Sequence, residues 1–154
     1  MEGAIDERIK WRFFIAVSYT AACSFDSVSV LGYREALETI AGELERLGGR
    51  VYLAPREELW GYARAPRGEG IRRDLIALNE AGDFLFFIGG HQSDGALVEL
   101  GFAIALRKKV WILRRSSETL PSYITGLGEV GDVRFRVVDT KEDFVALARE
   151  ILGD

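Results

Sequence analysis

The 154 residues include one cysteine, one histidine and three prolines, and no apolar run is long enough to span a bilayer. The lone Cys23 excludes an intramolecular disulfide. With only His91 beside it, the ligand set of a structural zinc site is missing, so no metal is expected, and nothing in the residues calls for another cofactor. The charge balance also lacks a dominant sign: 20 Lys and Arg face 24 Asp and Glu, for a net charge of −4. Acidic and basic residues are interleaved, which excludes a long polynucleotide-binding face and leaves room for a local basic pocket. The N-terminus is acidic and charged ahead of "WRFFIAVSY" and has no secretory pattern, so a cytoplasmic, non-membrane protein is expected. Repeats, low-complexity tracts and linkers are absent too. The expectation is a single domain over 1–154, with residues 1–11 as an N-terminal extension.

What is present is an alternation. The runs "RFFIAVS", "RVYLA", "FLFFIGG", "KVWILR" and "VRFRVVD" are short, rich in β-branched and aromatic residues, and bounded by Gly, Asp or Ser, which predicts five strands. Between them, "GYREALETIAGELERLGG" places Leu37, Ile40, Leu44 and Leu47 at helical spacing and stops at Gly48-Gly49. "GEGIRRDLIALNEAG", "DGALVELGFAIALRKK" and "TKEDFVALAREIL" read as further helices, and "SETLPSYITGLG" as a short broken one. In the last full helix Thr140 is the N-cap and Asp143 a variant of the capping-box acid. Strands alternating with helices predict an α/β fold: a three-layer, doubly wound, five-stranded parallel sheet of flavodoxin-like or Rossmann-like type, most simply in the order 2-1-3-4-5. Such a sheet binds ligands beyond the carboxyl ends of its first and third strands.

The stretch "SDGALVELGFAIAL" follows the third strand and holds one charge, Glu99, between Asp94 and Arg107. An unpaired carboxylate on a helix that enters a core is costly. Either Glu99 complements the helix dipole or pairs with Arg72 or Arg73, or it does chemistry at the ligand site. The loop before it, with Gly89, Gly90, Ser93 and Gly95, is either a flexible turn capped by Ser93 or Asp94, or an anion site. Asp74 borders the expected buried side of the second helix, marked by Ile71, Leu75 and Leu78. It is either a solvated carboxylate paired with arginines or the second carboxyl of an acid–base pair acting on a sugar. In "APREELWGYARAP", Trp60 and Tyr62 can stack on a base while Arg56 or Arg64 grips phosphate, or the loop can serve packing or a subunit contact. Tyr19 either reaches the site or packs beneath its loop. His91 has no Ser or Cys arrangement near it that would make a triad.

Taken together, "FIAVSYT", "PREELWG", "RRDLIALNEAGDFLFFIGG" and above all "SDGALVELGFAIALRKKVWIL" resemble the nucleoside 2-deoxyribosyltransferase superfamily, over roughly residues 12 to 152. The "REELWG" loop looks more like the hydrolases of CMP and hydroxymethyl-CMP, relatives of the deoxynucleoside monophosphate N-hydrolases, than like the transferases. The resemblance implies that Glu99 is the nucleophile on the anomeric carbon and that Asp74 orients or protonates the substrate. It implies a 5′-phosphate held by Ser93, Gly95 and Ser18, a nucleotide or nucleoside as small-molecule partner, and a homodimer in which Ser122 reaches the neighbouring site. Ser18, Tyr19, Arg56, Trp60, Gly90, Ser93, Gly95 and Ser122 are thus the candidate substrate-binding residues. The chain departs from the deoxynucleotide hydrolases after the first strand, where Ser18-Tyr19-Thr20-Ala21-Ala22 and "CSFDSVSVLG" replace a Gly-rich turn with an arginine. The activity implied is cleavage of the base from a nucleoside 5′-monophosphate, with a pyrimidine slightly favoured. Its rivals are a deoxyribosyltransferase, a TIR-like NAD glycohydrolase and a non-catalytic nucleotide-binding module.

Overall fold

A computed structural model describes residues 10–18, 28–88 and 93–153, with 28–31 described by backbone alone. Five strands form one parallel sheet in the order β2-β1-β3-β4-β5: β1 (Phe13–Ala16), β2 (Val51–Leu53), β3 (Asp83–Phe87), β4 (Lys109–Arg114) and β5 (Val133–Val137). The helices are α1 (Val28–Arg46), α2 (Ala54–Glu57), α3 (Arg67–Glu80), α4 (Asp94–Ala105), α5 (Ser122–Thr125) and α6 (Lys141–Gly153). Short 3₁₀ turns lie at Leu59–Gly61 and Gly126–Glu129. This is the doubly wound α/β fold read from the sequence, with each expected strand in its expected place.

The strands are apolar along their whole length because both faces of the sheet are covered. On one face Phe13, Ile15, Leu53, Leu85 and Trp111 pack with Leu37, Ile40 and Leu44 of α1 and with Phe144, Leu147 and Ile151 of α6. On the other, Phe14, Tyr52, Phe84 and Ile112 pack with Ala77 and Leu78 of α3 and with Ala96, Leu100 and Ala103 of α4. Each such large side chain taken fully out of water contributes roughly 1.5 to 3 kcal/mol.

Local signals set the helix ends. α1 stops at Gly48, whose φ of +98° a side chain would strain, and Gly49 N–H then closes on Leu44 O at 3.0 Å. Before α6, Asp143 Oδ2 accepts from the N–H groups of Asp139 and Thr140 at 2.9 Å, and Thr140 Oγ1 accepts from Asp143 N–H at 3.2 Å. That reciprocal arrangement is a complete capping box. Three expectations are corrected. Leu47 is 41% exposed because the α1 stop turns it away from the sheet, and Ile71 is 54% exposed because it belongs to a cavity wall and not to the core. The segment after β2 is also not a plain loop, since α2 and a 3₁₀ turn fold inside it.

Candidate active site

Strand β1 lies between β2 and β3, and the helices that follow β1 and β3, α1 and α4, cover opposite faces of the sheet. The carboxyl ends of these two strands therefore part around a cleft. A cavity of about 410 Å³ occupies it, floored by Ile15 and Val17. One wall is Ala54, Pro55 and Glu58 with Arg64 and Ala65, the next is Arg67, Gly70, Ile71 and Asp74 of α3, and the last is Ser93, Gly95, Ala96 and Glu99 of α4. Tyr33 of α1 braces the floor: its hydroxyl donates to Phe87 O at 3.3 Å and is bonded by the Ser18 backbone, joining the ends of β3 and β1.

Helix α4 begins where Ser93 Oγ accepts from Ala96 N–H at 3.3 Å. That bond uses a lone pair, so the hydroxyl hydrogen remains available as a donor at the cavity wall. A Cβ on Gly95 would meet nothing nearer than Ser93 Oγ at 3.7 Å, so its missing side chain opens the cavity and relieves no packing. One turn further, Glu99 lines the same cavity. Burial is the larger cause, and the charge of Asp74 the smaller, of a carboxyl pushed up from 4.5 to about 8. Asp74 is raised as well, by burial first and by the Glu58 carboxylate; the Tyr52 hydroxyl, donating to its Oδ1 at 2.7 Å, and the Arg73 charge oppose the rise. Two carboxyls raised by burial in one cavity do not both ionise cheaply, and Glu99 holds its proton to about 8. A pair of this kind can supply a nucleophile and a proton to the same substrate.

The structure thus brings Glu99, Asp74, Ser93 and Gly95 to one cavity. Tyr19 and Gly90 lie outside the described residues. Ser18 is buried beneath the site and Ser122 is exposed on α5, and neither lines the cavity of its own chain. Two expectations in the second-strand loop are corrected. Trp60 is 8% exposed, sits in the α1-side core and carries the Arg34 guanidinium 4.3 Å above its ring, so it offers no face to a base. Arg56 pairs with Glu45 and donates to Val51 O at 2.9 Å, pointing away from the cavity. The cause is a reversal at Leu59 and Trp60, both left-handed at φ 49° and 56°, which turns the indole inward. Glu58 anchors this reversal, since its carbonyl accepts from Gly61 N–H and Ala63 N–H at 3.1 Å. Its buried carboxylate faces the cavity beside Arg73, 3.4 Å away.

Sequence reasoning missed Tyr52, Glu58 and Arg67. Glu58 carried a signal, an acidic residue two places before Trp60 in a loop; Tyr52 read as a core aromatic and Arg67 as a surface arginine. Among the described residues no group of three or more His, Cys, Asp or Glu is placed to hold a metal ion, and no helix is long and apolar enough to cross a membrane.

No protein-family description and no curated protein matches the sequence. Solved structures do. The CMP N-glycosidase BcmB of Clostridium botulinum shares 21% identity at a TM-score of 0.70, over 91% of this chain and 98% of that one. The solution structure of BlsM gives 23% and 0.71, over 94% and 93%. A 2-deoxyribosyltransferase of Bacillus psychrosaccharolyticus gives 19% and 0.60, over 87% and 90%. At these identities the likeness establishes the fold, and the neighbours are of the kind that the sequence resembles.

Proposed function

We propose that the chain is a nucleotide N-glycosidase that hydrolyses the base–sugar bond of a nucleoside 5′-monophosphate, a pyrimidine nucleotide in preference to a purine one. One observation carries the reading: Glu99 and Asp74 face one cavity at the switch point of the sheet, and burial raises both carboxyls. In the reacting form Glu99 is ionised and Asp74 holds the proton. The base departs with the bonding electrons and takes the proton of Asp74, while a Glu99 oxygen closes on the anomeric carbon through an oxocarbenium-like state. Water then attacks that carbon, Asp74 accepts its proton, and the sugar phosphate leaves with Glu99 and Asp74 restored. Ser93 and Gly95, at the amino end of α4, receive the 5′-phosphate by donor and dipole. Arg64 and Arg67 supply positive charge on the opposite wall.

The same reading makes the working unit a homodimer, because Ser122 reaches no site within its own chain. A second reading, transfer of the sugar to another base, is favoured by the transferase among the structural neighbours. It differs only in what intercepts the glycosyl–Glu99 ester. Incubation with the common nucleoside monophosphates, and separately with a nucleoside plus a free base, tests both. Free base and sugar phosphate support hydrolysis, and a new nucleoside supports transfer. Nucleotide binding that survives Glu99→Ala with no base released from any wild-type reaction would establish a binding module in place of an enzyme.

A further inference from the structure

Tyr52 lies on β2, on the sheet face covered by α3 and α4. It is 4% exposed, with its ring stacked on Phe14 at 5.3 Å and met edge-on by Trp11 at 5.1 Å. Its hydroxyl ties the strand to α3 through the 2.7 Å bond to Asp74 Oδ1. A phenol can donate or accept, but burial and the Asp74 charge both hold the Tyr52 proton in place well above the ordinary tyrosine range. Tyr52 is therefore the donor and Oδ1 the acceptor, whether Asp74 is ionised or protonated. Any proton on Asp74 then resides on Oδ2.

We propose that Tyr52 is a positioning residue for Asp74: its O–H, engaged on Oδ1, fixes the carboxyl plane, leaves Oδ2 as the oxygen that serves the substrate, and weights the proton shared by the two carboxyls toward Glu99. The inference rests on the reading of Asp74 as the proton-handling group. The charged groups acting on Asp74 come from three sides: Glu58 from the turn after β2, Arg73 from its own helix and Glu99 from α4. Glu57 and Arg73 also act on Tyr52. None of them donates a hydrogen bond to Oδ1, so the phenol is the group whose removal changes the two carboxyls in opposite directions.

Tyr52→Phe keeps the ring and its stacking and deletes the donor. The test is carbon-13 carboxyl NMR of the wild type and Tyr52→Phe at near-neutral pH, with the Asp74 and Glu99 signals assigned through Asp74→Asn and Glu99→Gln. The Asp74 signal is expected to move toward its protonated position while the Glu99 signal moves toward its ionised one, because the bond that favoured ionised Asp74 is gone. Although the proton moves toward the reacting arrangement, the Asp74 carboxyl loses the bond that fixes its plane, and this loss of orientation is expected to dominate, lowering kcat about tenfold to a hundredfold with KM little changed. In an Asp74→Asn background the same substitution should change kcat no further. Carboxyl signals that stay in place, or that shift in the same direction, overturn the proposal. If the wild type releases no base from any nucleotide, the proposed activity fails, while the NMR result still decides the Tyr52–Asp74 coupling.

Discussion

At Glu99 burial and a neighbouring charge act in the same direction, and both oppose ionisation. Because the folded carboxyl holds its proton to about 8, against 4.5 without the fold, the native state binds more protons than the unfolded one across that interval. Stability from this group is therefore full in acid and is lost as pH rises through about 8. Glu99→Gln keeps the shape and removes the titration, so its stability relative to the wild type should grow by about 2 to 4 kcal/mol between about pH 5 and about pH 9. Urea unfolding at both pH values checks this, and a constant difference would show that Glu99 is not the group responsible. The same substitution should abolish base release. For the wild type, kcat/KM should fall above about pH 8, when the pair gives up its last proton, and Asp74→Asn should remove or displace that limb. Glu99 was legible in the sequence because a lone charge in an apolar helix breaks a pattern. Tyr52 was not, because tyrosine in a buried strand reads as one more core aromatic until the helix opposite is in place.

At the scale of elements, α4 has an amino end with two tasks. Ser93 caps the helix and lines the cavity, and substitutions can separate these roles. Ser93→Ala should lower stability by about 1 kcal/mol and reduce turnover. Ser93→Asp should restore the cap, since aspartate caps as well as serine does, yet leave turnover low because its charge repels a phosphate; recovered activity would remove Ser93 from the binding site. The turn between α1 and β2 has a different constraint. A Cβ on Gly49 would overlap Cε2 of Phe13 and lie 2.7 Å from Cδ2, and that ring is fully buried. Gly49→Ala should cost about 1 to 3 kcal/mol, measured by thermal or urea unfolding, through overpacking at the edge of β1. The helix stop at Gly48-Gly49 and the capping box at Thr140 and Asp143 were readable because their chemistry is local. The reversal at Leu59 and Trp60 was not, because two bulky residues at positive φ obey no turn preference. It persists because burial of the indole under Arg34 and the bonds to Glu58 O outweigh a strain of roughly 1 to 2 kcal/mol per residue.

For the whole molecule, sheet order was legible from the alternation of strands and helices, since right-handed crossovers leave few arrangements for five parallel strands. Assembly is a separate matter. On the cavity side, α3 and α4 pack on each other and leave Ile76, Val98, Phe102 and Leu106 about half exposed. The proposed homodimer would cover such side chains. Sedimentation is expected to return twice the 17.2 kDa of one chain, and Phe102→Asp to return one chain with its circular dichroism retained. A wild type that sediments as a single chain would remove Ser122 from the proposed site. The sheet also separates two cores that share no side chains, one formed with α1 and α6 and the other with α3 and α4. Apart from Ile15 and Val17 of the floor, the described cavity residues come from the α3 and α4 side or from the loop that enters it. The molecule is thereby divided for anyone who would alter it. Sequence libraries confined to the outer surfaces of α1 and α6 search for robustness without disturbing the chemistry, and libraries at 54–58, 64–74 and 93–99 search for new substrates while sparing Trp60 and the core it belongs to.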